Sequence, residues 1–225
     1  MNRFEIGFLA KHLSALRSSN FSFSNEGEDI ALLKEIGSGV TNGFYVDVGS
    51  NHPIRYNNMM SFYLRGWSGI NIDALPGSKK IFDKIRKRDI NVEMGVSTRH
   101  GSLTYYSFKE SALNTFSEEM AKTREKEGFT CVSQKKIRVM PLSEILDKYL
   151  PEGRKIDIMD IDVEGMDYEV IRSNDWERYR PVYVLAEAIG SGFSDILSGD
   201  ITSFLSKQGY EAYMKFVGTV VYRRV

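Results

Sequence analysis

At 225 residues the chain is long for one domain and short for two, so one embellished domain over residues 1–225 is expected. Lys plus Arg and Asp plus Glu balance at 30 each, which gives no ground for nucleic acid or an anionic membrane as a partner. The single cysteine, Cys131, excludes an intramolecular disulfide and fits a reducing, cytoplasmic compartment, and no cluster of Cys and His suggests structural zinc.

In residues 1–20 the apolar positions 4, 8, 9, 13 and 16 lie near helical spacing, which predicts a short amphipathic helix. That stretch is too short to span a membrane and has no clear signal-peptide cleavage site, so no integral membrane segment is expected. Ser24 or Asn25 suits the cap of a helix running to Ile36, with Glu26, Glu28 and Asp29 at its positive end. Residues 1–43 are thus read as an N-terminal helical segment. The breakers Gly37-Ser38-Gly39 and Thr41-Asn42-Gly43 deliver the chain into the first core strand.

Residues 44–51 read Phe-Tyr-Val-Asp-Val-Gly-Ser-Asn, an apolar strand interrupted by Asp47 and turned by Gly49. A carboxylate at the end of a buried strand costs several kcal/mol unless something pairs with it. In open α/β sheets the carboxyl ends of the strands are where ligands sit, and Gly49 has no Cβ to keep one away. A helix-like segment over 57–64 follows, then a strand over 68–74 that ends at Asp73. Next come an amphipathic helix over 78–88, whose lysines and arginines form its wet face, and a strand over 90–97. This alternation predicts a parallel sheet with right-handed crossovers.

Asp47 and Asp73 therefore end two consecutive strands. An acid at the tip of the second strand accepts hydrogen bonds from ribose hydroxyls in nucleoside-binding folds. The turn after the first strand lacks the second and third glycines of the pyrophosphate-binding pattern. An adenosine ligand without phosphates, such as S-adenosylmethionine, fits better than a nicotinamide dinucleotide.

Residues 101–150 break the alternation and are read as an insertion around the substrate opening. They hold an aromatic strand over 103–108, a charged helix over 114–128, an extended run over 130–139 and a helix over 141–150. Residues 156–165 alternate apolar and acidic types, which predicts a half-exposed strand. Its last acids, Asp162 and Glu164, meet a glycine turn at the ligand edge. A helical segment over 168–171, a buried strand over 181–188 with Glu187 near its end, a helix over 196–208 and two strands joined through Gly218 complete the chain.

Residues 46–53 (Val-Asp-Val-Gly-Ser-Asn-His-Pro), 66–73 (Gly-Trp-Ser-Gly-Ile-Asn-Ile-Asp), 161–165 (Ile-Asp-Val-Glu-Gly) and 207–210 (Lys-Gln-Gly-Tyr) resemble the FkbM-type methyltransferases, as does Ser24-Asn25-Glu26-Gly27-Glu28-Asp29. The resemblance runs from about Ser24 to the C-terminus. It implies a Rossmann-like class I fold: a seven-stranded, mostly parallel sheet with an antiparallel last strand and helices on both faces. It further implies S-adenosylmethionine-dependent O-methyl transfer to a sugar, nucleotide-sugar or natural-product hydroxyl, often in surface-polysaccharide pathways. The implied cofactor residues are Glu28, Asp47, Gly49, Ser50, Asn51 and Asp73. Two departures are Ala74 before Leu75-Pro76, and Asp160 where lysine or serine is common.

A sugar hydroxyl needs to lose its proton during attack, to a base or with the help of a metal. Asp162, Glu164 and His52 are the catalytic candidates. Asp162, Glu164 and Glu187 would suit Mg2+ or Mn2+, which prefer oxygen ligands. Without a metal, His52 is the better base. Three plainer roles compete: Glu164 capping a helix, Glu187 binding backbone amides and His52 packing. The rival functions are a non-catalytic cofactor- or partner-binding module and a nicotinamide-dependent oxidoreductase.

Overall fold

The computed structural model describes residues 20–37, 39–188 and 192–225; the helix expected over 1–20 lies, but for its last residue, outside them. In chain order the first half holds α1 (Glu28–Ile36), β1 (Phe44–Val48), α2 (Met60–Leu64), β2 (Ser68–Asp73), α3 (Ser78–Ile85), β3 (Ile90–Glu93), β4 (Gly95–Val96) and β5 (Gly101–Phe108). After a 3-10 turn at Ser111–Leu113 come α4 (Glu118–Lys126), β6 (Cys131–Met140), α5 (Leu142–Tyr149), β7 (Ile158–Ile161) and α6 (Asp167–Arg172). The last elements are β8 (Tyr183–Glu187), α7 (Phe193–Ser198), α8 (Asp200–Lys207), β9 (Tyr210–Lys215) and β10 (Thr219–Arg224).

Seven strands form the main sheet in the order β3-β2-β1-β7-β8-β10-β9. β1 pairs in parallel with β2 and β7, β2 with β3, and β7 with β8. β10 runs antiparallel between β8 and β9, so the strand that closes the chain is the reversed one, as expected. Strand order reverses on either side of β1, with β2 on one flank and β7 on the other. In open α/β sheets that switch point is where a crevice for a ligand opens.

Period-two alternation sends successive side chains of each central strand to opposite faces. Phe44, Val46 and Val48 of β1 join Ile70 and Ile72 of β2, with Leu142, Ile145 and Leu146 of α5 and Ile171 of α6, in one core. Tyr45 joins Ile158, Leu185 and Val221 with Leu32 of α1 and Phe62 of α2 in the other. Covered on both faces, β1 and β7 are buried along their whole length. That is why residues 156–165 do not behave as the half-exposed strand that their alternation predicts. Asp160 is only 5% exposed and takes a 2.8 Å hydrogen bond from Asn58 Nδ2. Asp157, just before β7, accepts from the Phe44 amide at 2.7 Å.

Three other elements differ from expectation. The strand expected over 90–97 splits at Met94, whose amide donates to the Asp73 carbonyl. Gly95 and Val96 then leave to pair with β6 in a second, three-stranded sheet of order β4-β6-β5. A Cβ on Gly95 would lie 2.7 Å from the Phe116 ring, so only glycine lets the chain pass against the insertion there. The helix expected over 196–208 is two helices broken at Gly199, which is extended at ψ 156°. The segment over 57–64 becomes helical only at Met60, because the Asn57 side chain turns inward to Asp47 and to the Ser50 carbonyl. Among the described residues no helix is long and apolar enough to cross a membrane.

Candidate active site

The carboxyl ends of β1, β2, β7 and β8 open on one cavity of about 510 Å3. Its floor is the turn after β1. Gly49 has φ 86°, and a Cβ there would lie 1.7 Å from the Asp162 carbonyl oxygen. Glycine is required here to let the β1 and β7 ends pack together, and it also lines the cavity. Asn51 follows, also left-handed at φ 47°. Its amide donates to one oxygen of Asp73 at 2.7 Å, and the Leu75 amide donates to the other at 2.7 Å. Burial pushes the Asp73 carboxyl up to about 6 against the opposing pull of those two amides. Asp73 lines the cavity beside Ile72, Ala74, Met94 and the tilted ring pair Tyr105 and Phe116, whose centroids are 4.8 Å apart. An acid among apolar and aromatic groups suits a nucleoside: hydroxyls on the carboxylate and a base against the rings.

Asp47 does not line the cavity. It shares the Tyr45 face of β1 and lies within the sheet, where Asn57 Nδ2 donates to it at 2.9 Å. Burial pushes its carboxyl up to about 7, opposed by the nearby Arg86 guanidinium and raised further by Asp73 and Asp162. Arg86 is itself fully buried. It bonds the Asn57 side-chain oxygen at 3.1 Å and the Pro53 carbonyl at 3.1 Å, and pairs with Asp89 at 3.1 Å. Asp47 thus organises the loop after β1 from beneath. Ser50 is buried outside the lining, with its hydroxyl 3.5 Å from the Ile72 carbonyl. His52 also lies outside it: Nδ1 accepts from the Ile54 and Arg55 amides at 3.1 and 3.0 Å in an exposed turn. Burial and Arg55 push its pKa down. The lone pair that a base would use is already occupied at Nδ1.

On the N-terminal side, Asp29 is fully buried and collects the chain. Ser22 and Ser24 hydroxyls reach it at 2.6 and 2.8 Å, the Phe23 amide at 3.0 Å and the Ser61 hydroxyl at 2.5 Å. Burial alone would raise its carboxyl, yet these donors hold it below the ordinary value. The segment so gathered lays Glu26 and Glu28 on the cavity wall. Glu26 takes the Gly218 amide on both oxygens at 2.8 and 2.9 Å, and Glu28 takes the Glu26 amide at 2.8 Å and the Thr219 hydroxyl at 3.2 Å. Helix α1 is thereby strapped to the turn between β9 and β10.

The opposite wall is acidic. Oxygens of Asp162, Asp167 and Glu187 all lie within 4.8 Å of one another. Burial, with repulsion from Asp162, pushes Asp167 up to about 7 and Glu187 to about 9; Asp162 is an exposed residue whose carboxyl, partly desolvated in the cavity and repelled by Glu28, is raised to about 6. Asp167 is 5% exposed and sits beneath the pair, accepting from the Glu187 amide at 3.4 Å. Glu164 also lines the cavity but is held apart from this trio: Arg124 of the insertion forms an ion pair with it. Burial and Asp162 push Glu164 up to about 7 in spite of Arg124. The expected trio of Asp162, Glu164 and Glu187 thus becomes Asp162, Asp167 and Glu187. Its all-oxygen donors suit a hard divalent cation, or a shared proton when none is bound.

The cavity therefore brings together Glu28, Gly49, Asn51, Asp73, Asp162, Glu164 and Glu187, and leaves Asp47, Ser50 and His52 outside. Sequence reasoning missed Asp167, Glu26 as a strap, Arg124, and Ser111, whose hydroxyl donates to Asn51 Oδ1 at 2.7 Å. Of these, Asp167 alone had a local signal: it follows the Gly165 turn at φ 93°, which folds α6 back against the strand ends. No curated protein matches the chain. Residues 47–212 match the methyltransferase FkbM domain, and the chain belongs to that family.

Proposed function

We propose, on the premise of that family membership, that the chain is an S-adenosylmethionine-dependent O-methyltransferase. Its acceptor is a hydroxyl of a sugar or sugar-containing precursor, in the assembly of a surface polysaccharide or natural product. The observation that carries this reading is one cavity shared by Asp73, beside the Gly49 turn, and by Asp162 and Glu187 across from it. The first group suits the nucleoside of the cofactor and the second an acceptor. The turn after β1 also weighs against a nicotinamide dinucleotide. The next helix begins only at Met60, so no helix N-terminus stands behind the turn for a pyrophosphate.

Bound in this cavity, S-adenosylmethionine supplies a methyl group on a sulfonium; transfer forms a C–O bond, breaks a C–S bond and leaves a neutral thioether. Asp73 would accept hydrogen bonds from the ribose hydroxyls, and Asn51, held at its backbone amide by Asp73 and at its side-chain oxygen by Ser111, would line the floor for the cofactor's amino-acid end. Orientation of the hydroxyl on the sulfonium axis contributes much of the acceleration. Asp162, at the β7 tip, takes the hydroxyl proton; a positioned base contributes about 10²–10⁴-fold. His52 is the weaker candidate because it lies outside the lining. Glu164, paired with Arg124, positions the wall. A divalent ion held by Asp162, Asp167 and Glu187 would supply positive charge that lowers the hydroxyl's pKa.

The test is calorimetric titration of S-adenosylmethionine into wild type and Asp73→Ala, with EDTA or with added Mg2+ or Mn2+, followed by methyl transfer from labelled cofactor to a panel of glycosides. Micromolar binding lost in Asp73→Ala supports the reading, and transfer abolished by EDTA and restored by the ion places a metal in it. Absence of binding under every condition refutes it, and binding with no transfer to any hydroxyl returns the chain to the non-catalytic module.

A further inference from the structure

Tyr56, in the loop after β1, is set apart by its backbone. Its φ is 52°, in the left-handed region, and its side chain lines the cavity while 57% of the residue is exposed. That region disfavours a bulky side chain, and glycine or asparagine would fill the turn at less cost. The loop imposes the conformation from both sides. Before Tyr56, the Arg55 amide donates to His52 Nδ1 at 3.0 Å. After it, the Asn57 amide donates to the Phe23 carbonyl at 3.0 Å, while the Asn57 side chain holds Asp47. A ring so exposed adds little to the core, so packing does not account for an aromatic residue at a strained position.

The ring is also steadied. The Arg55 guanidinium lies 5.3 Å from its centroid and pairs with Glu110 of the insertion at 2.9 Å. One face of the ring is thereby taken, which leaves the opposite face to meet a ligand. Asn25, Glu28 and Asn58 line the cavity with it. Asn58 Nδ2 donates to Asp160 at 2.8 Å, and the charge of Glu28 bears on both Asp160 and Asp162. These contacts put the Tyr56–Asn58 stretch toward the Asp162 end of the cavity. An aromatic face flanked by side-chain amides and a carboxylate matches a pyranose. Its C–H bonds present an apolar face to the ring, and its hydroxyls bond the amides and the acid. We propose that Tyr56 is the residue on which the acceptor stacks, its ring receiving the C–H face of a pyranose and so turning a hydroxyl toward Asp162. The inference rests on the methyltransferase reading and deepens it, from a sugar hydroxyl in general to one on a six-membered ring.

Saturation-transfer NMR on the S-adenosylhomocysteine-saturated protein tests it. The probes are the methyl glycosides of glucose, galactose, mannose and rhamnose, with sorbitol as a polyol that has the hydroxyls but no ring face. At least one glycoside is expected to bind, with saturation strongest on the protons of one ring face, and sorbitol is not. Tyr56→Phe should keep that affinity within about twofold, and Tyr56→Gly should lose at least about fivefold. Both variants should hold S-adenosylhomocysteine within about threefold of wild type. Tyr56→Gly should melt no lower than wild type, because glycine relieves the left-handed φ. Failure of wild type to bind S-adenosylhomocysteine overturns the methyltransferase reading, and this inference with it. When that ligand binds, the inference alone is overturned by the absence of glycoside binding, by equal binding of sorbitol, or by undiminished glycoside binding in Tyr56→Gly. A melting temperature lowered by more than about 6 °C in Tyr56→Gly assigns the ring to packing, and a tenfold loss of S-adenosylhomocysteine affinity assigns it to the cofactor; either result also overturns the inference.

Discussion

Asp73→Asn is a sharper probe of the cofactor site than truncation, because it preserves shape and inverts one contact. Each Asp73 oxygen accepts a backbone N–H, from Asn51 and from Leu75, both at 2.7 Å. An asparagine has one acceptor oxygen, so its NH2 group must face one of those two amides. That amide loses its partner in a residue environment only 7% exposed, at a cost of about 1–3 kcal/mol. The ribose hydroxyls lose a charged acceptor, worth about 1.5–3 kcal/mol. The orphaned amide acts in the free and bound protein alike, and shows chiefly in melting temperature. It is partly offset because a carboxyl raised to about 6 by burial no longer has to ionise. The lost ribose contact shows in affinity. The expected outcome is a weakening of about 2–3 kcal/mol in S-adenosylmethionine binding at pH 8, roughly thirty- to two-hundredfold in Kd. The melting temperature moves by only a few degrees. Titration calorimetry and a thermal melt read the two separately. A folded variant whose Kd stays within about threefold of wild type refutes the assignment of Asp73 to the ribose.

Gly49→Ala places a Cβ 1.7 Å from the Asp162 carbonyl at a φ of 86°, and is expected to lower the melting temperature by more than about 6 °C and abolish cofactor binding. An unchanged melt contradicts the packing of the β1 and β7 ends. Asp47, Asp73, Asp167 and Glu187 are raised to about 7, 6, 7 and 9, above ordinary carboxyl values, so the folded chain holds more protons than the unfolded chain between about pH 4 and pH 9. Stability of the ligand-free protein therefore falls as pH rises through that window, and a melting temperature that climbs from pH 5.5 to 8.5 overturns the burial argument. Arg124→Met removes the positive charge that pulls down Asp162, Glu164 and Glu187, so the acid limb of the rate profile should move to higher pH, with Arg124→Lys restoring part of the shift. His52→Ala should leave kcat within about threefold; a loss beyond a hundredfold would return the proton-transfer role to that ring.

The sheet was legible because its strands carry apolar runs bounded by Gly, Pro and Asn, and because acids stand at their tips. Which of those acids reach the ligand was not legible from position alone. Asp47 and Asp73 look equivalent in sequence, but the register separates them. Val48 opposite Ile72 is the last β1–β2 pair, so Asp73 stands one residue beyond the paired region while Asp47 stands one residue within it. Asp47 is also opposite Asp160 in the adjoining strand, and both are buried on one face with Asn57 and Asn58. Strand parity hints at the face, but the partners come from the loop after β1. The same limit hid the fate of Glu164. Its ion pair reaches to Arg124 in the insertion, and no local pattern near residue 164 announces it. Asp167 was hidden for a different reason. It falls just before the helix expected over 168–171, and only the Gly165 turn brings it beneath Glu187.

The distribution of charge in the cavity explains why the acids were divided in this way. Carboxylates that build the site are each matched to a donor: Asp29 to hydroxyls, Asp73 to amides, Glu26 to the Gly218 amide and Glu164 to a guanidinium. Matched acids give a rigid frame, since each would cost several kcal/mol if left buried and unpartnered. Asp162, Asp167 and Glu187 are crowded within 4.8 Å instead, and all three are raised. Structural economy would have replaced them with apolar groups, because a crowded acidic trio destabilises an empty fold. Raised acids hold protons close to neutral pH, which on the proposed reading is what lets Asp162 exchange one with an acceptor hydroxyl.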